Sequence, residues 1–189
     1  DLYGIGIINC TIQSIYDGVY LSDVEDVAFI GNDNITAEGY GVHLASVNNT
    51  IFTNNTMGNI DSTGLMGDGC VGLTISNNTF SHKLTSALHL LGCNDVSIND
   101  CVFMNNTNGI SLTDSDDAHV FNSTFTGNQQ GISLFGSTIA DINDNIFENN
   151  TWNYSHVAHV EDYLYYGTIQ NAVLGAGIGT HVYVYQGNY

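Results

Sequence analysis

The stretch "GISLTDSDDAHVFNSTFTGNQQGISLFGSTIADINDNIF", residues 109–147, contains two copies of one phrase and decides the fold. In each copy a glycine precedes alternating apolar residues, a polar turn, a second apolar pair and a further turn that ends in phenylalanine. The copies start at Gly109 and Gly131, 22 residues apart. Alternation with a period of two indicates short strands rather than helices.

The same phrase extends to both sides at spacings of 22 or 23 residues. The small residue of each copy is Gly18, Gly41, Gly64, Ala87, Gly109 or Gly131, and the closing apolar residue is Ile12, Ile35, Met57, Phe80, Phe103, Phe125 or Phe147. A leucine-rich repeat would need a helical second half, and a propeller blade needs roughly 40 residues. What remains is a coil of short strands that stack one turn upon the next, a parallel β-helix.

A polar column lies three residues before each closing residue. It comprises Asn9, Asn32, Asn54, Asn77, Asp100, Asn122 and Asp144. Side-chain amides stacked at a corner hydrogen-bond along the axis and satisfy the turn backbone, so this column predicts a structural ladder rather than a binding site.

The charge balance excludes several classes of function. The 189 residues carry 19 acids against one base, Lys83, for a formal net charge of -18. Nucleic-acid binding and docking on anionic membranes both need cations, so neither partner is expected. Membrane insertion is not predicted either, because no stretch approaches 18 consecutive apolar residues.

Several features favour an extracellular or cell-surface location. The sequence begins at Asp1 rather than methionine, is strongly acidic and contains cysteines. Its Asn-x-Ser/Thr sequons lie at Asn9, Asn34, Asn48, Asn54, Asn77, Asn105, Asn122, Asn149 and Asn153. Asn48, Asn105, Asn149 and Asn153 are the candidate glycosylation sites, although turns rich in asparagine also produce sequons by chance.

The four cysteines lack the spacing of a zinc or redox motif. Cys70 and Cys93 are one repeat apart, which predicts Cα atoms about 5 Å apart and a disulfide. Cys10 and Cys101 share another column but are four rungs apart, roughly 19 Å. They are either free or form disulfides between subunits.

Metal-binding patterns are weak, and no cofactor is predicted. His43 and His89 lie in one outward column with Met66 between them, about 10 Å apart and therefore too far to share an ion. Asp114, Asp116 and Asp117 offer enough oxygen atoms for calcium, but the surrounding sequence is more typical of a solvated turn.

The rungs "GISLTDSDDAHVFNSTF" and "GISLFGSTIADINDNIF" resemble the NosD-like parallel β-helix repeat family, related to the pectate-lyase-like superfamily. The resemblance implies an all-β, right-handed parallel β-helix of about 7–8 rungs of 22–23 residues, over residues 1–150. The stretch "YYGTIQNAVLGAGIGTHVYVYQGNY" from Tyr165 is similar to the opening helix and strand of such domains. Residues 151–189 are therefore expected to form an aromatic segment, a short helix and a strand that complete a rung or join a neighbouring subunit.

Two functions follow as expectations. Composition and architecture are also similar to those of archaeal cell-sheath and surface-layer proteins, which implies a structural protein whose copies self-assemble head to tail through the β-helix ends. The alternative is a carbohydrate-binding or carbohydrate-cleaving domain of a larger surface protein. No enzyme activity is predicted, since pectate lyases use an arginine base and this chain has no arginine.

Overall fold

The computed structural model describes residues 4–82, 85–155, 158–160, 164–166 and 182–184. It confirms the all-β, right-handed parallel β-helix, and no helix occurs within these ranges. Each rung contributes one strand to each of three sheets, and successive rungs pair in parallel. The helix expected near residues 168–174 lies outside the described ranges.

The first sheet contains, in spatial order, β1 (Ile5–Ile8), β4 (Glu25–Ile30), β7 (Asn48–Thr53), β10 (Val71–Ser76), β13 (Asn94–Asn99), β16 (Asp116–Phe121) and β19 (Thr138–Asn143). The second contains β2 (Ile12–Ser14), β5 (Ile35–Ala37), β8 (Thr56–Ile60), β11 (Thr79–Ser81), β14 (Val102–Met104), β17 (Thr124–Thr126) and β20 (Ile146–Glu148). The third contains β3 (Val19–Ser22), β6 (Val42–Ala45), β9 (Thr63–Asp68), β12 (Ser86–Leu91), β15 (Asn108–Thr113), β18 (Gln130–Phe135) and β21 (Trp152–Ser155).

Three short strands near the C-terminus extend the first sheet in the antiparallel sense. They are β22 (Ala158–Val160), β23 (Leu164–Tyr166) and β24 (Val182–Val184). β23 pairs with β19, and β22 lies between β23 and β24. These strands add to one sheet only and do not form a further three-stranded rung.

A continuous aromatic column fills the core from the second rung to the seventh. It consists of Phe29, Phe52, Phe80, Phe103, Phe125 and Phe147, with successive ring centroids 4.7–6.3 Å apart. The column starts on the first sheet and moves to the second between Phe52 and Phe80, where the centroid distance is largest at 6.3 Å. On each rung the position facing the ring holds a smaller residue, such as Ile75 beside Phe80, so the core volume stays constant.

The small residue that opens each repeat is required by the close approach of the next rung. A Cβ atom on Gly131 would lie 2.6 Å from the carbonyl oxygen of Asn153 and 2.9 Å from the Phe147 ring. At Gly109 the corresponding distances are 2.5 Å to the Gly131 carbonyl oxygen and 2.8 Å to the Phe125 ring. Glycine at this position therefore lets the backbone and the aromatic column fit together.

The predicted Asn/Asp ladder is one residue out of register at six of its seven positions. Asn9, Asn54, Asn77, Asp100, Asn122 and Asp144 have positive φ angles and exposed side chains at the corner between the first and second sheets. The inward hydrogen-bonding ladder is the next residue along at these six positions and Asn32 itself in the second rung. It comprises Cys10, Asn32, Asn55, Asn78, Cys101, Ser123 and Asn145, of which Cys10 at the first rung is exposed and Asn145 half-buried. A residue with left-handed backbone turns the chain from one sheet into the next, and the residue after it points inward.

Asn32 is the one predicted member that lies in the inward hydrogen-bonding ladder. The second rung has one residue more between its ladder position and its closing Ile35 than the third rung has before Met57. Counting back three residues therefore reaches the inward position at Asn32. Its side-chain oxygen accepts from the Cys10 N–H at 2.9 Å, and its side-chain nitrogen donates to the Ile7 carbonyl oxygen at 2.8 Å.

Candidate functional site

A groove of about 490 Å³ lies on the outer face of the first sheet. It runs across β4, β7, β10 and β13. One wall is a column of residues with positive φ, Asp26, Asn49, Gly72 and Asp95, and the floor holds small side chains such as those of Thr74 and Ser97. The sequence reasoning missed this column, although its signal was present as Asp, Asn or Gly at the second position of each of these strands.

The groove offers hydrogen-bonding groups without a paired catalytic carboxylate. Asp26 and Asp95 are three rungs apart, about 14 Å at 4.8 Å per rung. That exceeds the roughly 5–9.5 Å that separates the two carboxylates of glycosidases. Asp117 continues the column one rung beyond the groove lining. The groove lining therefore offers carboxylates, an amide and hydroxyl groups that can hydrogen-bond a hydroxylated molecule.

Cys70 and Cys93 lie together in the corner between the third and first sheets. Both are fully buried, and the Cys70 N–H donates to Cys93 Sγ at 3.4 Å. A hydrogen bond between the thiols lowers the pKa of Cys70 and raises that of Cys93, and burial raises it further. Both are free thiols in the structure, so the adjacency is present and the disulfide stays a prediction.

Cys10 and Cys101 occupy the same corner column, as expected, but differ in accessibility. Cys10 is exposed, whereas Cys101 is 1% exposed and burial raises its pKa to about 11. Burial of Cys101 disfavours a disulfide between subunits at this sulfur, whereas the exposed Cys10 is accessible to another thiol. The disulfide between subunits stays a prediction.

The two histidines lie in one outward column of the third sheet, with Met66 paired to both. The His43 ring meets the edges of Tyr20 and Tyr40, each with a centroid distance of 5.0 Å, and its Nδ1 lies 4.0 Å from Asp17 Oδ2. His89 is two rungs further and half-buried, and burial lowers its pKa. The histidines therefore make separate local contacts rather than one centre.

The three aspartates considered for calcium do not converge. Asp116 Oδ1 accepts from the backbone N–H and the hydroxyl of Thr138, at 3.2 and 2.8 Å. Asp114 is an exposed corner residue and Asp117 an exposed residue of β16, and both have positive φ. Within the described ranges no three His, Cys, Asp or Glu side chains are placed to hold a metal ion.

The candidate glycosylation sites fall into two groups. Asn105 and Asn149 are exposed corner residues with positive φ. Asn48 is half-buried at the start of β7, where its N–H donates to the Val24 carbonyl oxygen at 3.1 Å. Asn153 lies within β21 and accepts a hydrogen bond from the Asn150 amide at 3.4 Å.

Comparisons with known proteins agree on the architecture. A family model described as "Right handed beta helix region" matches residues 3–152 and, in an overlapping match, residues 69–187. The A-module of the mannuronan C-5 epimerase AlgE4 from Azotobacter vinelandii superposes with a TM-score of 0.53 at 14% identity, over 78% of this chain. The chain spans 56% of that module's length, and a likeness at this identity shows the fold alone. No curated protein matches the chain by sequence. Among the described residues no helix is long and apolar enough to cross a membrane.

Proposed function

The chain belongs to the family of right-handed β-helix regions, and we propose that it is a structural rod of an extracellular surface assembly such as a sheath or surface layer. In this assembly, copies continue one another's sheets end to end. The observation that supports a structural role is the unbroken stacking of like residues from rung to rung. The acidic composition and the sequons support the extracellular location.

Stiffness follows from three corner ladders in addition to the sheets. At the first corner, Asn55 Nδ2 donates to Asn78 Oδ1 at 3.0 Å, one rung away. At the second, Asn128 Nδ2 donates to Asn150 Oδ1, also at 3.0 Å. At the third, the Ser115 N–H donates to Ser137 Oγ at 2.9 Å. Since a corner cannot move without breaking such bonds, the coil resists bending as well as unwinding.

The first rung presents apolar side chains and a backbone donor that a further rung, from this or another copy, would cover. Its inward residues Ile7, Ile12, Val19 and Leu21 are only partly buried, whereas Phe29 in the next rung is fully buried. At higher rungs the residue after the ladder position donates its N–H to the rung below, as Thr79 does to the Asn55 carbonyl oxygen at 2.9 Å. The equivalent donor here is Thr11, whose N–H has no partner among the described residues. An unpaired row of this kind is a template for strand addition.

Sedimentation velocity of the chain, made in a host without glycosylation, tests end-to-end association. We expect the wild-type chain to form large species whose size grows with concentration. Thr11→Pro removes the lower-edge donor without removing an upward hydrogen bond, and should shift the protein to monomers. Thr11→Ser keeps the N–H and should assemble like wild type. A wild-type chain that stays monomeric at the highest soluble concentration would overturn the proposal.

The groove on the first sheet favours a second candidate, binding of a carbohydrate. Asp26 and Asp95 repel anionic polymers, and the chain carries a net charge of -18, so a neutral glycan fits better than a uronate. Calorimetric titration with neutral oligosaccharides should show weak binding that Asp95→Asn reduces. Asp61→Asn, on an exposed corner away from the groove, is the control. Equal affinity in both variants would exclude the groove as the site.

A further inference from the structure

Left-handed backbone positions recur at every corner of the coil, and the sequons are distributed unevenly among them. Seven of the sequon asparagines have positive φ: Asn9, Asn34, Asn54, Asn77, Asn105, Asn122 and Asn149. Five of these lie at the corner between the first and second sheets, and Asn105 and Asn149 at the corner between the second and third. All seven sequons therefore border the second sheet.

The remaining left-handed positions carry no sequon. At the corner between the third and first sheets they are Asp23, Ser46, Gly69, Gly92, Asp114 and Gly136, and on the first sheet they are Asp26, Asn49, Gly72, Asp95 and Asp117. On or beside the second sheet they are Gly31, Asn59, His82, Asp100, Gly127 and Asp144. Aspartate, glycine and asparagine all tolerate this conformation. Backbone geometry alone therefore does not explain why the sequons at left-handed positions all border one sheet.

The local structure presents each of these asparagines to solvent. Their side chains are exposed, and their amide groups make no hydrogen bond with any described residue. In the sequon of Asn122, Ser123 points inward, and Thr124 opens β17 with its N–H bonded to the Cys101 carbonyl oxygen at 2.8 Å. A group added to the asparagine amide would project outward, because the rest of the sequon is held by the corner.

We propose that the chain is N-glycosylated along the two corners of the coil that border the second sheet. The donor is an oligosaccharide attached through a diphosphate to a polyisoprenoid lipid. The asparagine Nδ2 forms a bond to C1 of the first sugar while the bond from C1 to the diphosphate oxygen breaks. The lipid diphosphate leaves with the electron pair, and the amide proton passes to a base of the transferase.

This arrangement leaves two faces of the rod uncovered. Glycans at Asn77, Asn122 and Asn149 would cover the second sheet, whereas the groove on the first sheet and the tyrosine and histidine cluster on the third would stay accessible. Asn48 and Asn153 differ from the seven because they lie in strands. Their sequons are expected to remain unmodified.

The test is secretion of the full chain from a cultured eukaryotic host, followed by enzymatic release of N-glycans in heavy-oxygen water and peptide mass spectrometry. Each modified asparagine gains the heavy label on conversion to aspartate. We expect label at several of the seven corner asparagines and none at Asn48 or Asn153. Absence of label at all seven would overturn the proposal, and so would higher occupancy at Asn48 or Asn153 than at the corners.

Matched variants at Thr124 separate glycosylation from folding. Thr124 pairs with Val102 on one side and Ile146 on the other, so valine fits this column of the sheet. Thr124→Val should abolish label at Asn122 alone, with an unchanged circular dichroism spectrum. Thr124→Ser keeps the sequon and should retain the label. Persistence of label at Asn122 in Thr124→Val would show that the sequon is not what directs modification.

Discussion

The third rung is where the aromatic column changes sheets, and a double substitution there should move this change one rung earlier, to between the second and third rungs. Phe52 supplies the ring of this rung from the first sheet, while Met57 occupies the position on the second. In the fourth rung the arrangement is reversed, with Ile75 and Phe80. Phe52→Ile with Met57→Phe would make the third rung like the fourth and extend the column along the second sheet.

The two single substitutions should each destabilise the coil. Phe52 is fully buried and contacts Phe29 at 5.3 Å and Phe80 at 6.3 Å between ring centroids. Loss of two ring contacts costs about 1–3 kcal/mol, and the cavity that remains adds to this. Met57→Phe alone overpacks a filled core and costs about 1–3 kcal/mol. Because the double variant conserves volume, we expect it to lie within about 1 kcal/mol of wild type, with a coupling energy of about 2–3 kcal/mol.

Urea unfolding followed by circular dichroism gives the free energies of unfolding of the wild type, the two single variants and the double variant, which together make a double-mutant cycle. A mirrored pair in the fifth rung, Ile98→Phe with Phe103→Met, also conserves volume approximately but removes a ring from between Phe80 and Phe125. We expect no rescue there, because the column is interrupted in its middle, whereas the third-rung pair only moves the point at which it changes sheets. If the third-rung substitutions add within about 0.5 kcal/mol, the aromatic column is not a coupled unit and the reasoning is refuted.

Three further predictions concern the corners and the titrating groups. Asn78→Ala leaves the buried Asn55 N–H without an acceptor and should lower the free energy of unfolding by about 2–4 kcal/mol in a urea titration. The control is Asn77→Gly at the exposed neighbouring position, which should change it by less than about 1 kcal/mol. Burial lowers the pKa of His89 below its ordinary 6.5, so the unfolded chain binds a proton first as the pH falls. The contribution of neutral His89 to the free energy of unfolding is present above pH 6.5 and is lost as the pH falls through the lowered pKa of the folded chain. The urea midpoint of His89→Gln should therefore depend less on pH between pH 7 and 5 than that of wild type. Iodoacetamide at pH 8 should alkylate exposed Cys10 in the native protein but Cys101 only after denaturation, since burial raises the Cys101 pKa to about 11, and rapid native labelling of Cys101 would contradict its position in the core.

The coil could be predicted from the sequence because its periodic signals reinforce one another. Glycine or alanine at one column and apolar residues at alternate positions leave a stacked coil of strands as the arrangement that buries them. The exact corner residue could not be predicted so well, because asparagine serves two different purposes there. Asn54 takes a left-handed backbone, whereas Asn55 points inward to bond the next rung. Adjacent asparagines in the sequence do not show which is which.

The candidate sites were harder to predict because they depend on what lies across rungs. Spacing placed Cys70 next to Cys93 and His43 in line with His89, and the structure has both pairs in those columns. The sequence did not predict the burial of Cys101, because the equivalent positions of most other rungs hold the polar residues Asn or Ser. It substitutes for asparagine as a hydrogen-bond acceptor, since Asn78 donates to its sulfur.

The groove on the first sheet has a structural origin that bears on the choice between the two proposed functions. At four positions the side chain of a left-handed Asn or Asp leans over a glycine of the next rung. Asn9 stands before Gly31 in this way: a Cβ atom on Gly31 would lie 2.6 Å from the Asn9 side-chain oxygen. Gly72 follows Asn49 in the same way, with a corresponding distance of 3.2 Å. Packing between rungs therefore accounts for the glycine at position 72, and this glycine is not by itself an argument for a ligand in the groove.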